Sequence, residues 1–179
     1  MALDWRATSR GALAGTAAAG LWAAQQPLDK QLFATDYDDV ELLGKSVVAG
    51  AGWYPAGLAM HLFNGALFGA VYASFARYVP IPRWLRGPVA GQLENFGTWP
   101  LTRVVDRLHP RRDELPALVG NRRALAQATW RHLLFGIVLG ELERRLNPGD
   151  ELLPPPLDTY VSSNGHGSLE HAAAGQSTA

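Results

Sequence analysis

Between Tyr54 and Ala76 the chain runs for 23 residues without a formal charge, and only His61, Asn64 and Ser74 in it are clearly polar. An α-helix needs about 20 residues to cross the hydrocarbon core of a bilayer. A helix of this length on a soluble core normally carries a polar stripe, and this stretch has none. It predicts a membrane-crossing helix over about 54–79, closed by Pro80 and Pro82. Three other segments show helical spacing. One starts near Ser9, a good N-cap residue, and runs through GALAGTAAAGLWAAQ to about residue 26, ahead of Pro27. Another covers about 87–108, opened by Gly87 and Pro88, where proline suits a first turn, and kinked at Pro100. The last covers about 121–146, with Asn121 as N-cap and Asn147, Pro148 and Gly149 as its stop.

The connections are polar. Residues 28–53 carry Asp29, Asp36, Asp38, Asp39 and Glu41 against Lys30 and Lys45. Within them Thr35 or Asp36 can cap a short amphipathic helix bearing Val40, Leu42, Leu43, Val47 and Val48, read here as interfacial. Residues 109–123 form an arginine-rich connection, and residues 148–179 have too few large apolar side chains to offset the entropy of ordering. The expected fold is therefore all-α: a four-helix transmembrane bundle over 1–147, a short amphipathic helix, and a disordered C-terminal tail. His166 and His171 lie in that tail and receive no role.

The helices repeat one another. The second reads Gly57, His61, Gly65, Gly69 and Ala73 at steps of four, and the fourth reads Ala124, Ala128, His132, Gly136 and Gly140. The first offers Gly11, Gly15, Ala19 and Ala23, and the third offers Gly87 and Gly91. The chain thus reads as two copies of one pair, a small-residue helix followed by a His-Gly-Gly helix. In lipid, small residues on one face let backbones approach closely, which supplies the dispersion that association needs. In water each of these glycines would cost helix stability relative to alanine.

Composition changes this picture little. Formal charge is zero, so no global field points to nucleic acid. The absence of cysteine excludes disulfides, thiolate metal sites and thiol nucleophiles. Mean hydropathy is close to zero, an average that hides the charge-free stretch. Arg6 and Arg10 ahead of the first apolar run raise a signal peptide, but the Ala/Gly run is weakly hydrophobic for that role. Trp53, Trp84, Trp99 and Trp130 fall at or near helix ends, as interfacial belts require. The two loop sides carry seven and eight basic residues, which does not set an orientation.

The order of a Gly/Ala helix, the helix HLFNGALFGAVYA, a Gly-rich helix ending in WP and a last helix WRHLLFGIVLGELERRL resembles the YagU-like inner-membrane proteins of bacteria and related actinobacterial membrane proteins. The resemblance covers about residues 8–147. It implies a multi-pass protein of the inner membrane and brings no biochemical activity. The acidic and arginine-rich connections have no counterpart in it.

Six polar residues sit in costly places: His61, Asn64, Glu94, Asn95, Arg131 and His132. One reading is interhelical hydrogen bonding; a second is a His-Glu-His proton relay; a third is metal or haem ligation by His61, Glu94 and His132. No motif such as HExxH supports the third, and no cofactor is expected. Arg131 either snorkels or pairs with Glu94. Arg111, Arg112, Arg122 and Arg123 are candidate grips for lipid head groups, or juxtamembrane anchors paired with Asp106, Asp113 and Glu114. Expected partners are membrane lipid and a second copy or another membrane protein, with no nucleic acid. No hydrolase, phosphate-loop or dinucleotide signature is present. Three functions remain: a structural or interaction protein acting through its glycine faces, a small proton-linked transporter or channel, or a metal- or haem-binding membrane enzyme. A soluble or peripheral helical domain is the alternative to a membrane protein, suggested by Arg131 and Glu94.

Overall fold

A computed structural model describes residues 4–148. The order is α1 (Trp5–Phe33), α2 (Asp39–Val47), α3 (Trp53–Phe75), α4 (Arg83–Thr98), α5 (Thr102–Leu108) and α6 (Arg122–Leu146), with no strand among the described residues. The sequence expectation for the tail lies outside those residues.

Local chemistry explains most of the ends. Asp4 caps α1 by accepting from the Arg6 and Ala7 amides, so the helix starts before Ser9, whose hydroxyl instead donates to the Arg6 carbonyl. The helix also continues through Pro27 to Phe33, correcting the expected stop at residue 26. Proline removes one backbone donor but does not end a helix whose neighbours hold it. Asp38, not Thr35 or Asp36, caps α2. Helix α4 opens at Arg83, four residues before Gly87, and Trp99–Leu101 form a single 3-10 turn before α5, which is the kink expected at Pro100. Asn121 caps α6 through the Ala124 amide, and Gly120 adopts positive φ in the turn leading into it.

The long helices pack as two antiparallel pairs, α1 with α3 and α4 with α6, and the pairs meet along α1 and α6. Glycine makes both pairs possible. A methyl group on Gly15 would strike the Gly65 carbonyl, one on Gly69 the Gly11 carbonyl, and one on Gly65 the Ala19 side chain. In the second pair a methyl on Gly87 would strike the Gly136 carbonyl, one on Gly136 the Gly87 carbonyl, and one on Gly91 the His132 carbonyl. Gly140 packs on the Gly87 backbone. Gly15 over Gly65 and Gly69 is thus matched by Gly87 over Gly136 and Gly140. Gly57 instead seats α2 on α3, with Val40 and Gly44 as its close neighbours.

Backbones this close leave little space for large side chains. The main core holds Ala14, Ala18 and Ala19 beside Trp22, Tyr72, Phe135 and Leu139. Large apolar residues point outwards instead, among them Phe63, Leu67 and Phe75 on α3 and Leu13 and Leu21 on α1. At one end α2 and residues 109–121 close the bundle. Asp106 accepts from the Leu118 and Val119 amides, and Lys45 bridges Glu41 and Glu114 at 2.7 and 3.0 Å.

A side chain at Gly69 must therefore separate α1 from α3. Gly69→Val is expected to cost about 1–3 kcal/mol or more, the usual range for overpacking. Gly20→Ala, whose methyl would meet only a Leu62 methyl at 3.8 Å, should stabilise by about 0.5–1 kcal/mol. Thermal melts of the two purified variants in one detergent check the contrast.

Candidate functional site

The stripe that carries the α1 glycines continues as Ala18, Trp22, Gln26 and Asp29, all buried. On α6 the buried stripe runs Gln127, Ala128, Arg131, Phe135 and Leu139. Where these stripes meet, Arg131 is completely enclosed. Its Nε and Nη2 each donate to an Asp29 carboxylate oxygen at 2.6 Å, Nη1 donates to Asp39 at 2.7 Å, and Nη2 also donates to the Tyr37 carbonyl. A planar fork suits such bidentate pairing, which lysine cannot reproduce. Gln127 adds a donor to Asp29 at 2.6 Å, while Asp39 accepts from the Tyr37 hydroxyl and the Trp22 indole. The expected partner of Arg131, Glu94, is corrected to Asp29 and Asp39.

Burial works against ionisation of Asp39, yet the Arg131 guanidinium and the Tyr37 hydroxyl hold its carboxyl below the ordinary value. Tyr37 is pushed well above its ordinary range, by burial first and then by the Asp39 charge.

Glu94 of α4 pairs with His132 Nε2 at 2.5 Å, and His132 Nδ1 lies 2.7 Å from the Ala128 carbonyl. Trp22 stands between the two histidines, with ring centroids 5.2 Å from His61 and 4.6 Å from His132. Both nitrogens of His132 are already engaged. Among the described residues no three of His, Cys, Asp and Glu are grouped to hold a metal ion.

These groups share one cavity of about 250 Å³ between the pairs, under the α2 roof. Its wall includes His61 and Asn64 of α3, Glu94 of α4, His132 of α6, Trp22 and Asp39. Asn95 is not among them: it is buried and donates to the Thr129 hydroxyl. Of the four candidate lipid-binding arginines, Arg111 pairs with Glu114 and Arg112 with Asp113, Arg123 reaches the Ala34 carbonyl, and Arg122 is exposed. Asp106 binds backbone amides rather than those arginines.

Trp22, Asp29, Tyr37 and Asp39 were not among the site residues expected from the sequence. For Trp22 and Asp29 a signal existed: the small-residue stripe, extended through Pro27, reaches both. For Tyr37 and Asp39, which lie in a connection, none did.

No family model, curated protein or solved structure matches the chain, so the YagU-like resemblance rests on the sequence pattern alone.

Leaving a buried charge without its partner costs about 3–5 kcal/mol. Asp29→Asn and Arg131→Met should each destabilise by that amount, and the double variant by less than the two together. The Asp39 carboxyl is depressed in the folded state, so its contribution is complete above its unfolded value of about 3.9 and is lost as pH falls further. Melting temperature should therefore drop below about pH 4, and less steeply in Asp39→Asn.

Proposed function

We propose that the chain is a multi-pass integral membrane protein of the bacterial inner membrane, in which two glycine-packed helix pairs hold a polar cavity that moves a small solute together with a proton. The observation that carries this reading is the reversed distribution of side chains. Arg131, Asp29, Gln127 and Asn95 are enclosed at 1% exposure or less, whereas Phe63 is 66%, Leu67 56% and Leu93 70% exposed. In water such an exterior is a large apolar patch without cover; against lipid it is the ordinary arrangement.

By length and composition one helix, Trp53–Tyr78, is apolar enough to cross a membrane, and 28% of its most apolar stretch is buried. The others fall short for a physical reason. Helices α1, α4 and α6 carry the inward-facing Gly, Ala and charged residues that build the pairs and the cavity, which dilutes their hydropathy. Their outward faces still present Leu13, Leu21 and Leu28, then Val89, Leu93 and Phe96, then Ile137. Trp5 and Trp84, 74% and 73% exposed, lie in the first turns of α1 and α4 at the same end of the bundle, where an interfacial belt would be.

A carboxylate and an imidazole in contact, Glu94 and His132, can hold and release a proton beside a cavity. The glycine faces support the structural role expected of them, but within the chain: each ridge already lies against another. Association with a second copy or a partner would use other surfaces, and lipid is the partner this exterior suits.

Alkaline carbonate should leave the protein in the membrane pellet, and detergent should release it. Release by carbonate alone would remove the membrane assignment. In proteoliposomes under an imposed potential, proton flux should exceed that of empty vesicles and fall at least tenfold in Glu94→Gln combined with His132→Ala. Unchanged flux in that variant would remove the transport reading.

A further inference from the structure

We propose that the cavity between the helix pairs is a recognition site for a small organic ammonium ion that donates hydrogen bonds. This rests on the cavity described under the proposed function, and names the class of solute it takes.

Several polar groups on the cavity wall can accept hydrogen bonds. His61 is 8% exposed, and its Nε2 has no hydrogen-bond partner among the described residues. In the neutral tautomer that carries its proton on Nδ1, Nε2 is therefore a buried acceptor without a donor, on a side chain that lines the cavity. Such an enclosed acceptor without a donor is costly unless a ligand supplies one. Glu94 contributes a carboxylate with one oxygen on His132, Asp39 adds negative charge although both its oxygens are already bonded, and Asn64 contributes an amide.

Charge points the same way. Arg131 is one cation bonded to two carboxylates, Asp29 and Asp39, so this cluster carries an excess of one negative charge. Glu94 has only the titratable His132 as its ionic partner. A cation in the cavity would neutralise the excess; an anion would add to it.

The remaining walls are aromatic. Trp22, Phe68 and Phe135 line the cavity, with Phe68 and Phe135 edge to face at 5.5 Å. Such rings take the hydrocarbon part of an amine and attract its charge through their faces. A volume of about 250 Å³ is at the small end for ligand sites, which fits an ion of a few carbons.

Calorimetric titration of the purified full-length chain in detergent micelles tests the proposal with three probes of similar size: propylammonium, tetramethylammonium and propionate. Saturable binding of propylammonium is expected, at least tenfold tighter than tetramethylammonium, which has no N–H donor, and no binding of propionate. Glu94→Gln and His61→Leu should each weaken propylammonium at least tenfold. Asn64→Leu, at an exposed position on the cavity wall, serves as a third variant should either fail to melt cooperatively. Propionate binding as tightly as propylammonium, tetramethylammonium binding equally well, absence of saturable binding, or binding unchanged in every variant that folds would each overturn the assignment. The titration needs no bilayer and no gradient, so saturable binding without proteoliposome flux would sink transport and leave the ammonium site standing.

Discussion

A guanidinium with no access to water must be bonded on every side, and Arg131 meets that condition by joining three parts of the chain. It draws Asp29 from α1, Asp39 from α2 and the carbonyl of Tyr37 from the turn between them. The rest of the contact between the two helix pairs is made by small residues, a few rings, Leu139 and two neutral hydrogen bonds, Trp130 to Gln25 and Asn147 to the Ala7 carbonyl. The ion cluster therefore fixes the register of α6 against α1, and with it the position of Trp22 between His61 and His132. The cavity lies beside that cluster, where the pairs diverge under α2.

The glycines supply the complementary constraint. With backbones in contact at Gly15 and Gly65, and again at Gly87 and Gly136, the interior has no space for a layer of leucines. Apolar bulk moves to the outside and the polar side chains occupy the inside. The same packing that makes the pairs puts large apolar side chains on the exterior, so the proposed membrane reading and the repeat have one origin. It also explains why hydropathy favours α3 alone: its neighbours carry the ion cluster and the Glu94–His132 pair.

Features set by neighbouring residues were legible in the sequence. Asn121 as the α6 cap, the break at Pro100 and the glycine ridges all follow from spacing within one or two turns. Gathering His61, Glu94 and His132 into one place followed from the repeat, because equivalent helices put equivalent residues at equivalent depths. The partners of Arg131 were not legible, since Asp29 lies 102 residues away and an ion pair leaves no periodic trace. Pro27 was the second obstacle. Read as a stop, it assigned Asp29 to a loop and broke the stripe that leads to it, whereas tertiary packing carries the helix onward to Phe33.

The proposed arrangement, a polar cavity inside a lipid-facing exterior, is open to direct measurement, because the chain has no cysteine of its own. Single variants Asn64→Cys, Phe63→Cys and Leu67→Cys can be treated with a water-soluble maleimide in native membranes. Position 64 is exposed on the cavity wall, and positions 63 and 67 are exposed on the same helix outside the cavity lining. Rapid labelling of Asn64→Cys is expected, with Phe63→Cys and Leu67→Cys protected until detergent is added. Equal labelling of all three in intact membranes would contradict the arrangement of a polar interior within a lipid-facing exterior.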